Sequence, residues 1–145
     1  MPPQSEPDLT PGTVLHIKGY SSRGHPAKDK YLVLIGCCSE SVVLGFLISS
    51  QLRYLEQESH RSEVVRVPHN ATTFIRFETI IQCFEMERLS MESLWEGFEH
   101  GQVSRAGKLP VKYLYQIKET VSRSRVLSQK DIEDALAVLP SATRD

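Results

Sequence analysis

Arg23, His25, Lys28 and Lys30 crowd three cations and an imidazole into a short span near the front of the chain. Three of them fall within Gly19 to Asp29, a stretch whose glycine, serine and proline content is that of a loop. Further on, Ser49, Ser50 and Gln51 close an apolar run. A cation stabilises negative charge as it develops, an imidazole moves protons near neutral pH, and a hydroxyl orients the attacking group. Brought together, these side chains would set a cation, an imidazole and hydroxyls at one place.

The elements that would unite them are read from periodicity. Gly12 to Lys18 alternates as a strand does, with Val14, His16 and Lys18 on one face and Leu15 and Ile17 on the other, so its apolar members belong mainly to one face. Lys30 to Gly36 and Ser41 to Ser49 are nearly continuous apolar runs joined by a short polar connection. That pattern predicts a central antiparallel hairpin covered on both faces. In such a pair the start of one strand lies beside the end of the next, so Lys30 and Ser49 are expected as neighbours at one rim.

Gln51 to Ser62 reads as a loop or short helix, and Glu63 to Pro68 as a strand whose terminal proline suits an edge. Thr72 to Glu87, rich in Thr, Phe and Ile, predicts one or two more strands. Five or six short strands suggest a barrel-like sheet. Helical signals follow from about residue 90 to 139. Ser90 caps a segment holding Leu94, Trp95 and Phe98, and Pro110 sits in the first turn of a helix with Leu114, Ile117 and Val121 inward. Ser128 and Asp131 form a capping box before a last short helix. The chain is expected to be α+β: a flexible lead-in over residues 1–11, then one domain over residues 12–145.

Composition agrees with an ordinary globular protein. The 145 residues are 40% hydrophobic and 24% charged, with a formal net charge of -1, which excludes a strongly basic nucleic-acid binder. The charge is segregated, however: six carboxylates face two arginines from Arg76 to His100, and seven Lys/Arg face only Glu119 from Gly101 to Lys130. Apolar runs such as Tyr31 to Ile35 are too short to span a bilayer, and the N-terminus lacks the features of a secretory signal, so no membrane association and a cytoplasmic location are expected. Cys37, Cys38 and Cys83 read as reduced, small apolar strand residues. The five histidines are scattered without metal-ligand spacing, and no phosphate-cradling glycine loop, nucleophile elbow or dinucleotide fingerprint occurs. Neither a metal nor a cofactor is expected.

The order of parts resembles the MazF/PemK/Kid toxin family. A Pro-Gly-x-Val opening at Pro11 to Val14 is followed by a polar loop, a basic residue at the start of the Lys30 to Ile35 strand, and a strand closing in Ile48-Ser49-Ser50-Gln51. The matching positions fall within residues 11–51. Lys30 stands where the family has arginine, Tyr31 where it has proline, and Ser49 where it has threonine. The resemblance implies a small SH3-like curved antiparallel β-barrel with C-terminal helices, acting as a homodimeric endoribonuclease inhibited by a cognate antitoxin protein. RNA carries its own nucleophile, the 2'-hydroxyl, so cleavage needs a base, an acid and a cation. In that reading Lys30, Ser49 and His25 are catalytic, as cation, orienting hydroxyl and general acid or base. Arg23, Lys28, Ser50 and Gln51 bind the substrate. The alternative is a non-catalytic barrel that binds a protein or RNA partner, a reading favoured by lysine in place of a guanidinium fork.

Overall fold

A computed structural model of the chain describes residues 9–20, 28–50, 61–72, 75 and 77–141, with Lys28 described by its backbone alone. Its strands are β1 (Thr13–Tyr20), β2 (Lys28–Cys37), β3 (Val42–Ser49), β4 (Val64–Val67), β5 (Thr79–Ser90) and β6 (Val103–Lys108). Its helices are α1 (Met91–Glu99), α2 (Val111–Ser122) and α3 (Gln129–Val138). The strands form a single sheet in the order β4-β5-β3-β2-β1-β6, with antiparallel pairing throughout. The fold is therefore α+β.

The predicted β2–β3 hairpin lies at the centre, with Leu32 opposite Leu47 and Val33 opposite Phe46. Alternation sends these pairs to opposite faces, and both faces are covered. On one, Val14, Val33 and Phe46 pack with Leu114, Ile117 and Val121 of α2 and with Ala135 and Leu139. On the other, Leu15, Leu32, Leu34 and Leu47 pack with Leu94 of α1. Val14 is fully buried, so β1 is apolar on both faces at its start rather than mainly on one.

The sheet coils strongly. Tyr20 donates its hydroxyl proton to Glu87 Oε1 at 2.5 Å, although β2 and β3 lie between their strands. At about 4.8 Å per strand, β1 and β5 would stand roughly 14 Å apart in a flat sheet. Tyr20 also pairs with Lys28 while Glu87 lies in the row of Leu34 and Gly45, which adds a large offset along the strands. Only curvature brings the two side chains together. Among the described residues the sheet is nevertheless open, with β4 and β6 as its edges, and it does not close into a barrel.

Of the one or two strands expected over Thr72 to Glu87, the described residues show one, β5, which begins at Thr79 and runs on to Ser90. Between Phe46–Met86 and Ile48–Ile81, two steps on β3 answer to five on β5, so a wide bulge absorbs the additional residues. β6 is an element the sequence reading passed over; it pairs with β1 from Thr13–Lys108 to Ile17–Val103. Leu9, in the expected lead-in, packs against the α1-side cluster, and Thr10 accepts a hydrogen bond from Lys108 Nζ at 2.8 Å.

The helix caps follow the sequence signals. Ser90 Oγ accepts from the Ser93 N–H, and Ser128 Oγ from the Asp131 N–H. Pro110 is the N-cap residue of α2, one position before the first turn. Among the described residues, no helix is long and apolar enough to cross a membrane.

Two polar contacts tie the helices to the sheet. The buried Glu63 carboxylate accepts from Ser124 Oγ at 2.5 Å and from the Arg125 N–H at 3.0 Å, fixing the α2–α3 connection beside β4. Hydrogen bonds to a buried charge are worth more than neutral ones, so Glu63→Ala is expected to cost roughly 2–3 kcal/mol. Urea unfolding followed by circular dichroism measures this, and a change near zero would show that the clamp contributes nothing.

On the other helix, Arg88 of β5 reaches Asp131 at 2.7 Å and Asp134 at 2.8 Å. Arg88, with Lys130 behind it, holds the Asp134 carboxyl below the usual aspartate value of 3.8. A carboxylate with a depressed folded-state pKa contributes stability above its unfolded pKa and loses it as pH falls through the folded one. The contribution of Asp134 is therefore complete above about pH 4 and disappears below it. Thermal melts of wild type and Asp134→Asn are expected to differ at pH 6 and to converge in strong acid.

Candidate functional site

The end of β1, the start of β2 and the end of β3 form one rim of the sheet. Tyr31 is paired with Ile48, and one further antiparallel step sets Lys30 alongside Ser49. On its other side Lys30 is paired with Ile17. Lys30 and Ser49 are both half-buried. By alternation they share the α1 face with Leu32 and Leu47. A shallow groove on this face, between the end of β1 and α1, is lined in part by Ile17, Lys18, Tyr20, Leu89, Ser93 and Gly97. Because Ile17 is the cross-strand partner of Lys30, the groove opens one strand away from the lysine.

Of the other candidates, Ser50 is exposed just beyond β3, and Lys28 is placed by backbone pairing with Tyr20. Arg23, His25 and Gln51 lie outside the described residues. The sheet thus juxtaposes Lys30 and Ser49, with Ser50 following in the chain. The groove one strand away is lined by a mixture of apolar side chains, such as Ile17 and Leu89, and polar ones, such as Lys18 and Ser93.

No protein-family model matches the chain, and no curated protein matches it.

Across the sheet from Lys30, on the α2/α3 face, is a second polar group that the sequence reading did not single out. His16 and Tyr31 are cross-strand partners with ring centroids 4.8 Å apart and an interplanar angle of 31°. Asp29 Oδ2 lies 3.7 Å from His16 Nε2, and Asp29 Oδ1 accepts from the Gly19 N–H at 3.1 Å. Tyr31 remains 45% exposed in a strand whose next four residues are fully buried. The signal available in sequence was the alternation that put His16 on a polar-ended face. Its partner was hidden because the residues between the two strands do not encode the register in which β1 and β2 pair.

Other groups with chemical potential are engaged structurally. Burial, and secondarily the charge of Glu63, push the Cys83 thiol far above the range in which it would ionise. All three cysteines are free thiols; Cys83 is a buried residue of β5 as expected, whereas Cys37, at the end of β2, and Cys38 are exposed. Tyr113 is buried against the sheet, leaving its ring unavailable for stacking by a ligand. Among the described residues, no three His, Cys, Asp or Glu side chains converge as a metal site.

Proposed function

We propose that this chain is an RNA-cleaving enzyme of the MazF/PemK/Kid type, working without a metal on a curved, SH3-like sheet in the cytoplasm. The observation that carries the reading is the register at the rim, where Lys30 lies alongside Ser49 one step beyond the Tyr31–Ile48 pair. The 2'-oxygen of RNA attacks the adjacent phosphorus, a new P–O2' bond forms, and the P–O5' bond breaks. The proton lost by the 2'-hydroxyl goes to the base, and the leaving 5'-oxygen takes one from the acid. Lys30 balances the additional negative charge on phosphorus, Ser49 orients the 2'-hydroxyl, and His25 transfers a proton. Arg23, Lys28, Ser50 and Gln51 hold the flanking nucleotides. The products are a 2',3'-cyclic phosphate and a 5'-hydroxyl.

As in the family it resembles, the active form is a homodimer, and a cognate antitoxin blocks the rim. Incubation of the purified protein with mixed-sequence RNA in EDTA tests the core of this reading. Cyclic-phosphate ends that vanish in Ser49→Ala and Lys30→Ala are the expected result, and intact RNA with the wild type rejects it. A second reading, a barrel that binds RNA or a protein without cleaving it, is favoured by lysine at position 30. An ammonium offers a point charge where a guanidinium would grip phosphate with two bonds.

A further inference from the structure

We propose that Tyr31, backed by His16, is a stacking platform for a nucleobase of single-stranded RNA. The proposal rests on the RNA-binding part of the reading above and names the nucleotide feature that the rim recognises. An aromatic ring that is 45% exposed in a strand otherwise buried from Leu32 to Ile35 leaves apolar surface in water. A flat ligand would remove that surface.

The ring is also held in advance of any ligand. His16 packs against it from β1, Asp29 Oδ2 lies 3.7 Å from the imidazole Nε2, and the Gly19 N–H anchors Asp29 in turn. On the β3 side the cross-strand partner is Ile48, which is 9% exposed. His16, Tyr31 and Ile48 thus form a row across three strands, and the two rings need no reordering to receive a base.

Charge selects the occupant. β1 carries Lys18 two residues beyond His16, and Lys30 precedes Tyr31 on β2, two cations against the acid Asp29 on these two strand ends. A rim with more cations than acids beside an exposed aromatic ring suits an unpaired nucleotide, because bases in a duplex already stack on one another. Tyr31 and Lys30 are adjacent but point to opposite faces. A single strand that crosses the rim can therefore lay a base on Tyr31 while its phosphate turns toward Lys30.

The test is fluorescence anisotropy with a labelled, uncleavable 2'-O-methyl ten-nucleotide RNA in EDTA at low salt. Tyr31→Ala is expected to weaken binding between about five-fold and a hundred-fold, the range that one base–aromatic stack supplies. Tyr31→Phe is expected to bind like the wild type. An oligomer of the same length with abasic positions should bind the wild type as weakly as the alanine variant does, and should lose nothing more with that variant. Because Tyr31 is exposed, a thermal melt of the variant is expected to overlay that of the wild type.

Cleavage of unmodified RNA, measured in parallel, separates the two claims. Tyr31-dependent binding without cleavage by the wild type keeps the platform and removes the nuclease. Cleavage combined with binding that Tyr31→Ala leaves unchanged removes the platform and keeps the nuclease. No binding of RNA by the wild type overturns both.

Discussion

Under the proposed mechanism, replacing Lys30 by alanine is expected to lower metal-free RNA cleavage by about a hundred- to a thousand-fold, the loss typical when one preorganised group that stabilises transition-state charge is removed. The argument is electrostatic. As the 2'-oxygen adds to phosphorus, negative charge accumulates on the non-bridging oxygens, and an ammonium on the half-buried side of a sheet rim acts in a medium less screening than bulk water. Lys30 is half-buried between Ile17 and Ser49, so in the proposed mechanism its charge acts from a partly screened position on the rim. The loss should appear in kcat more than in KM, because the charge that Lys30 balances is greatest in the transition state. Lys30→Arg is the informative companion. If the role is phosphate recognition, the guanidinium should retain much of the activity. A Lys30→Ala enzyme as active as the wild type would remove the lysine from the mechanism.

Phe46→Ala is expected to cost about 3–5 kcal/mol of folding stability, the usual range for deleting a buried phenylalanine. Phe46 is fully buried at the middle of β3. It belongs to the cluster that also contains Val14 and Val33 of the sheet and Ile117 and Val121 of α2. Against a typical total of about 5–15 kcal/mol, that loss is a large fraction. Urea titration should show a lower midpoint with an unchanged slope. A midpoint within error of the wild type would mean that the helices do not depend on this contact.

What the sequence made legible depended on how strongly each segment was patterned. The β2–β3 hairpin was readable because its strands are apolar without interruption, and the structure buries them on both sides. Ser90 and Ser128 announced their helices because a hydroxyl ahead of an amphipathic run is a local signal that needs no tertiary information. β6 carried no comparable signal. Val103 is its one buried hydrophobic residue, and the rest of Val-Ser-Arg-Ala-Gly-Lys owes its conformation to pairing with β1. The extent of β5 was equally hidden, because the bulge between Ile81 and Met86 breaks the alternation that would have marked one strand.

The site shows the same division. That Lys30 and Ser49 share a rim follows from antiparallel pairing, which the sequence specified. The pairing of His16 with Tyr31 and its approach by Asp29 depend on the register between β1 and β2, which a loop rich in glycine and serine does not encode. Tyr31 at first stood out only as a substitute for proline. Its exposure depends on which parts of that face the helices cover, and no local pattern encodes that.

The partnership between β1 and β6 has a kinetic corollary. Thr13 meets Lys108, so among the described residues the first strand completes its ladder with the last. During synthesis β1 must wait until β6 has emerged, and in the interval its backbone amides on that side face water. Closing so long a loop carries an entropic cost that local hairpins avoid. Seating of the final strand should therefore be a late event in folding, and a chain halted before residue 103 would carry an unprotected edge open to pairing with another nascent molecule.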